Sequence, residues 1–161
     1  SIVGAQRLLQ NSLNVTPAIR KESFQYLIES KIDFAKKNYN AALVKISIIN
    51  PSDSIYYYPQ YKIMLIVCNI MLGDIDRLSA ERENFYKYIL NHKTSIQEER
   101  QVQYKLFIRY SEYLTEERFE YLSAHMYKRM ETAIQPDSPY FTEKPWVRER
   151  WEFLKDKFGK E

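Results

Sequence analysis

A chain of 161 residues with 24 basic and 21 acidic side chains, formal net charge +3, has the size of one domain or of one stretch of a repeat array. Its three glycines, Gly4, Gly73 and Gly159, are too scattered for a G-x-G-x-x-G turn or a P-loop, and its two histidines and one cysteine cannot close a zinc site without carboxylates. No apolar run approaches the roughly 18 residues that a membrane-spanning helix needs; the longest runs from Ile63 to Val67. The chain is long enough to bury a core without disulfide staples. The lone Cys68 has no internal partner, which fits a reducing compartment and points to the cytoplasm. Because the sequence starts at Ser1, without a signal-peptide pattern, it reads as a piece of a longer protein, or as one whose ends were processed.

In chain order, Ile2 to Gln10 make a short helical pattern, broken at Asn11 to Asn14. Thr16 followed by Pro17 reads as an N-cap with proline at the first helical position, where its missing N–H costs nothing. A long helix is predicted from there to Lys37, with Tyr26, Leu27, Phe34 and Ala35 among its apolar residues and Asn38 as the left-handed residue that ends it. A second helix over 40–50 carries Ala42, Leu43, Ile46 and Ile49, and the cluster Pro51-Ser52-Asp53-Ser54 stops it. The third, over 59–72, is apolar nearly all round and so should be the central, buried helix.

Gly73 is the best C-cap glycine of the chain, and Asp74 can cap a fourth helix over 75–91 with Ile75, Leu78, Phe85 and Ile89 inward. Ser95 with Glu98 has capping-box spacing and opens a fifth helix to Leu114, whose core stripe is Val102, Leu106, Tyr110 and Tyr113. Thr115 caps a sixth helix, with Glu116 and Glu117 near its positive end and the stripe Phe119, Leu122, Met126, Met130. Gln135 to Pro145 holds three prolines and reads as a linker. A last helix over 146–158 spaces Val147, Trp151, Leu154 and Phe158 for one apolar face, with charges interleaved as suits a capping helix. The fold class is therefore all-α, one helical domain over 1–161 of antiparallel hairpins at about 17–50, 59–91 and 95–133 with a capping helix.

Two of these hairpins look alike. Phe34-Ala35-Lys36-Lys37-Asn38-Tyr39-Asn40-Ala41-Ala42-Leu43 and Val67-Cys68-Asn69-Ile70-Met71-Leu72-Gly73-Asp74-Ile75-Asp76-Arg77-Leu78 each end one helix at a turn-forming residue, then place an apolar or aromatic residue and a packing residue three further on. This resembles the middle of a tetratricopeptide repeat. The succession Asn38-Tyr39 to Leu43, Tyr58 to Leu65, Leu72-Gly73-Asp74-Ile75-Asp76, Ser95 to Arg100 and Arg148 to Leu154 looks like the C-terminal part of helical-repeat proteins of Bacteroidetes, which have no established activity. The resemblance implies an α-α superhelix of stacked, tetratricopeptide-like helix pairs and carries no functional residues over.

The residues themselves offer little chemistry. His92 and His125 lack a metal-binding partner spacing and read as ordinary surface or half-buried side chains; Cys68 lies in the most apolar helix and reads as core. The carboxylate pairs Asp74/Asp76, Glu98/Glu99 and Glu116/Glu117 sit at helix starts, where the dipole stabilises them. No catalytic residue, cofactor or metal is expected. The isoelectric point near 8.8 comes without a basic block; Lys36-Lys37 and Lys128-Arg129 are the largest adjacent pairs, so nucleic acid is an unfavoured partner. Tyr56-Tyr57-Tyr58 with Tyr61 reads first as seam packing between hairpins, and the series Tyr104, Tyr110, Tyr113, Tyr121, Tyr127 as core and half-buried packing. The expected function is a non-catalytic protein-interaction or scaffold module, with Tyr58, Gln60, Tyr61 and Lys62 as candidate partner contacts. The alternatives are a nucleic-acid-binding helical repeat and a regulatory or oligomerisation segment of a larger protein.

Overall fold

The computed structural model describes residues 18–49 and 57–160. Among these the secondary structure is eight α-helices and no strand, as the glycine-poor, helical periodicity requires. The expectations for Ile2–Gln10, the Thr16-Pro17 cap, the Pro51–Ser54 turn and Tyr56 lie outside the described residues. Contacts divide the chain after Asp74 into two compact units, 1–74 and 75–161.

In the first unit, α1 (Ala18–Ala35), α2 (Tyr39–Ile48) and α3 (Tyr58–Leu72) pack on one another. The turn between α1 and α2 differs by one residue from the expected one: Lys37, at φ 64°, takes the left-handed conformation, while Asn38 has φ −86°. The Lys37 amide donates to Phe34 O and the Asn38 amide to Asp33 O, both at 2.9 Å. These are the two hydrogen bonds of a Schellman motif, and they place the motif's αL residue at 37 whatever its type. A lysine pays a steric cost there that glycine does not. Lys37→Gly should therefore raise stability by about 1 kcal/mol, or roughly 2–4 °C in thermal midpoint for a chain of this size, measured by thermal melts followed by circular dichroism.

Across that hairpin, Lys45 Nζ lies 2.7 Å from Asp33 Oδ2 and 3.6 Å from Glu29 Oε2, and the hydrogen bond to Asp33 raises the lysine pKa. Phe34 and Tyr39 meet edge to face at 5.2 Å. Ala42 and Ile46 are fully buried, and the small Ala42 lets the helices approach closely. Residues 61–70 of α3 are buried without a break, as the all-round apolar pattern predicts. Gly73, at φ 71°, ends α3 in a second Schellman motif, with Asp74 N donating to Asn69 O (3.0 Å) and Gly73 N to Ile70 O (3.2 Å).

The second unit holds α4 (Ile75–Asn91), α5 (Glu98–Ser111), α6 (Glu116–Glu120), α7 (Ala124–Ala133) and α8 (Lys144–Phe158). Leu78, Phe85 and Ile89 of α4 are buried as expected, with Phe85 against Tyr104 of α5 at 5.4 Å. Arg82 clamps the pair, donating to Ile108 O (2.8 Å) and to Glu112 Oε2 (2.9 Å). The expected capping box at Ser95 does not form. The chain coils through turns from His92, Gln97 takes the N-cap position, and Gln101 Nε2 ties the turns down by donating to Lys93 O and Ile96 O, each at 2.8 Å.

Three further expectations change. On α5 the core face is Tyr104, Phe107, Ile108 and Ser111, joined by Tyr110, rather than the stripe beginning at Val102, which is exposed. The single sixth helix is two: Thr115 Oγ1 caps α6 by accepting from Arg118 N, but Ser123 Oγ accepts from Met126 N and starts α7 anew. A serine whose hydroxyl can serve the backbone competes with helix continuation. The 135–145 segment is no linker, because Phe141 is buried against Tyr110 (5.2 Å) and Lys144 is buried beside it in sequence.

Trp151 of α8 is the centre of this unit's core, with its ring 4.9 Å from Phe119 and 5.3 Å from Tyr127. Val147, Trp151 and Leu154 are wholly buried, so the spacing read from the sequence does mark the inner face of the last helix. Beyond Gly159, at φ 60°, Lys160 Nζ donates to Phe119 O and Glu120 O at 3.0 Å each. A cation on the last carbonyls of the five-residue α6 compensates the open, negative end of a helix too short to stand alone.

Candidate functional site

The four residues singled out from the sequence lie on the first turns of α3, and the structure gives each a partner. Lys62 Nζ stands 5.4 Å from the Tyr58 ring centroid and 5.3 Å from that of Tyr61, with the rings 6.0 Å apart. Gln60 Oε1 accepts from Lys31 Nζ of α1 at 3.3 Å. Tyr61 and Lys62 are buried, while Tyr58 and Gln60 are half-buried. The geometry is that of an ammonium held against aromatic faces, and it leaves Tyr58 and Gln60 as the members able to meet a partner. Tyr57, beside them, packs on Phe24 at 5.3 Å.

Further along α3, Asn69 is buried; its Nδ2 donates to Leu65 O at 2.8 Å, and its Oδ1 has no hydrogen-bond partner among the described residues. Cys68 is fully buried, and burial pushes its thiol up to about 12 from an ordinary value of 9.0. A thiol so placed stays protonated at neutral pH and is not a nucleophile. The unfolded thiol ionises above about pH 9 while the folded one does not, so this residue's contribution to stability is intact below pH 9 and is lost as pH climbs toward 12. In the native protein at neutral pH, labelling of Cys68 by an aromatic disulfide reagent should be limited by unfolding. The check is the labelling rate against urea concentration.

The remaining candidates are the two histidines. His92 is half-buried, stacks on Tyr88 at 4.2 Å and shares a 2.9 Å hydrogen bond with Tyr88 O, whereas His125 is exposed. Among the described residues no cluster of histidine, cysteine and carboxylate side chains is arranged to hold a metal ion. An open groove of about 490 Å³ beside α7 is lined by Lys128, Glu131, Thr132, Gln135 and Asp137. Its Glu131 accepts from Trp151 Nε1 and from Lys155 Nζ.

What the sequence did not single out is a set of apolar side chains on outward helix faces. On α2 the exposed residues Asn40, Ala41, Val44, Ser47 and Ile48 form one uncharged face, with Val44 63% and Ile48 55% exposed. On α4, Tyr86 and Leu90 are exposed one turn apart. On α5, Val102 is exposed in the same way. Tyr121, expected among the packed tyrosines, is 80% exposed because it sits in the break between α6 and α7. The signal was present as a second apolar stripe on α2 and α5, but periodicity alone does not say which stripe faces inward.

The fold and these surfaces define an all-α protein. Comparison with family models, with curated proteins and with solved structures finds no match to this chain. Among the described residues, no helix is long and apolar enough to cross a membrane.

Proposed function

We propose that this chain is a non-catalytic protein-interaction module, built of tetratricopeptide-like helix pairs that stack into a short superhelix. The observation that carries the reading is the outer face of α2. Val44 and Ile48 are exposed one turn apart on α2, and none of the exposed residues described on that helix is charged. Exposed apolar area of this kind gains roughly 25 cal/mol per Å² when a partner covers it. A partner bringing a charge to this face would lose its hydration without compensation, so the occupant is a segment with an uncharged apolar edge. Tyr58 and Gln60 provide polar and aromatic contacts on the same unit. The lone, reduced Cys68 favours a cytoplasmic setting for this module.

The test is capture from a lysate of the source organism with the full chain, followed by direct binding measurements on each captured protein. Binding should fall about tenfold or more in V44D/I48D, whose positions are exposed and whose fold is checked by thermal melting, and should persist in V44L/I48L. Capture that is identical with V44D/I48D, or capture of nucleic acid alone that salt removes, overturns the reading.

A further inference from the structure

The chain reverses at Gly159, and the residue after it ties α8 back to α6 and α7. Gly159 is exposed, sits at φ 60° and donates its amide to Lys155 O; the Lys160 amide donates to the same oxygen at 3.2 Å. From there Lys160 Nζ donates to Phe119 O and Glu120 O at 3.0 Å each and stands 5.0 Å from the Phe119 ring centroid. The Lys160 carbonyl accepts from Tyr127 Oη at 3.4 Å.

One of the oxygens that Lys160 holds also closes α6. Tyr121 N and Leu122 N both donate to Phe119 O, the latter at 3.2 Å. Five residues are too few for a helix to hold itself, so outside ties decide whether the last turn of α6 stays formed. Two lysines supply charged ties. Lys157 Nζ lies 2.6 Å from Glu116 Oε2, but both side chains are exposed, and such a pair contributes little. Lys160 is half-buried and bonds two carbonyls at once, and hydrogen bonds from a charged donor are the stronger kind.

A hinge lies next to this tie. A Cβ placed on Gly159 would meet nothing within 4 Å, so no neighbour crowds the turn, and what it demands is a left-handed backbone. Rotation at Gly159 lifts Lys160 from Phe119, Glu120 and Tyr127 together and leaves Phe158 in place, 5.7 Å from the Phe119 ring.

We infer that Gly159 and Lys160 form a hinged latch on α6. Closed, the latch covers the Phe119 ring and fixes the last turn of the helix. Open, it frees two carbonyls and one face of that ring, two residues before Tyr121, which is already 80% exposed. The opening is a local event, separate from unfolding of the core around Trp151, and it does not depend on the interaction-module reading.

The test is native-state hydrogen exchange of the full chain at low urea concentrations. In the wild-type chain the amides of Tyr121, Leu122 and Lys160 should exchange through an opening that urea barely promotes. Those of Trp151 and Leu154 should exchange only through one that urea promotes steeply. K160M should speed exchange at Tyr121 and Leu122 about tenfold while Trp151 and Leu154 stay within about twofold. G159A should speed it about fivefold although its methyl touches nothing, because φ 60° is strained for alanine. K157M should change it by less than about twofold. Thermal melts establish that each variant is folded. Exchange at Tyr121 and Leu122 that neither K160M nor G159A moves overturns the inference. So does an acceleration that reaches Trp151 and Leu154 by the same factor, since Lys160 would then belong to the cooperative core. An effect of K157M equal to that of K160M overturns the assignment to Lys160. Should neither latch variant fold, steep urea dependence at Tyr121 and Leu122 in the wild-type chain overturns the inference unaided.

Discussion

Replacing Trp151 by Ala should cost about 3–5 kcal/mol of stability, the range for removing a large aromatic from a core. The indole is wholly buried and touches Phe119 edge-on at 4.9 Å and Tyr127 at 5.3 Å. Its Nε1 donates to Glu131 Oε1 at 2.5 Å, and the same oxygen receives Lys155 Nζ at 3.1 Å. Burial works against the Lys155 charge, but the hydrogen bonds to Glu131 and Glu152 outweigh it and raise the lysine pKa. The substitution thus opens a cavity between α6, α7 and α8 and removes one of the two donors that hold Glu131. Trp151→Phe keeps most of the ring and leaves Glu131 with Lys155, so its cost should be about 1–2 kcal/mol. Urea unfolding of the two variants checks the order and the size. A loss below about 1 kcal/mol for the alanine variant would contradict the packing described.

The second large effect is expected at Lys144. Its ammonium is buried and has three acceptors for its three protons: Gln135 O at 2.6 Å, Ser138 Oγ at 2.7 Å and Ser138 O at 2.8 Å. Lys144 also begins α8, where the positive end of the helix dipole disfavours a cation, so the oxygens must do what a carboxylate does elsewhere. Lys144→Met keeps the aliphatic stem and strands those acceptors, at a cost of about 1.5–3 kcal/mol. Lys144→Arg should recover only part of this, because a planar guanidinium does not converge on three acceptors around one nitrogen. Urea titrations give the stability, and faster amide hydrogen exchange over 135–144 in the methionine variant would locate the damage in the loop.

The elements that were legible in the sequence share a property: their signals are local. Gly73 and Thr115 terminate and start helices through hydrogen bonds to residues within five positions, and both do so in the structure. The inner face of α8 was legible because Val147, Trp151 and Leu154 recur at helical spacing among charges. The same kind of reading failed where local signals compete. Ser95 has capping-box spacing but loses to the turns that Gln101 secures, and Ser123 breaks a pattern that continues in hydrophobicity through Leu122 and Met126.

The candidate surface was harder to read for a related reason. Lys62 is a lysine in an apolar helix, and nothing in its neighbours' identities says whether its ammonium reaches water or rests on Tyr58 and Tyr61. Val44, Ile48 and Val102 have the residue types of core positions and are exposed.

The amino-acid sequence by itself established that the chain is helical, roughly where its helices begin and end, and that α3 is buried on all sides. These properties follow from backbone hydrogen bonding and from residue period, which act over a few residues. The tertiary structure alone decided which stripe of α5 turns inward and that the proline-rich segment before α8 is packed around a caged lysine. Those outcomes depend on which surfaces far apart in the chain fit together, and the free energy of that fit is invisible to any pattern within one helix.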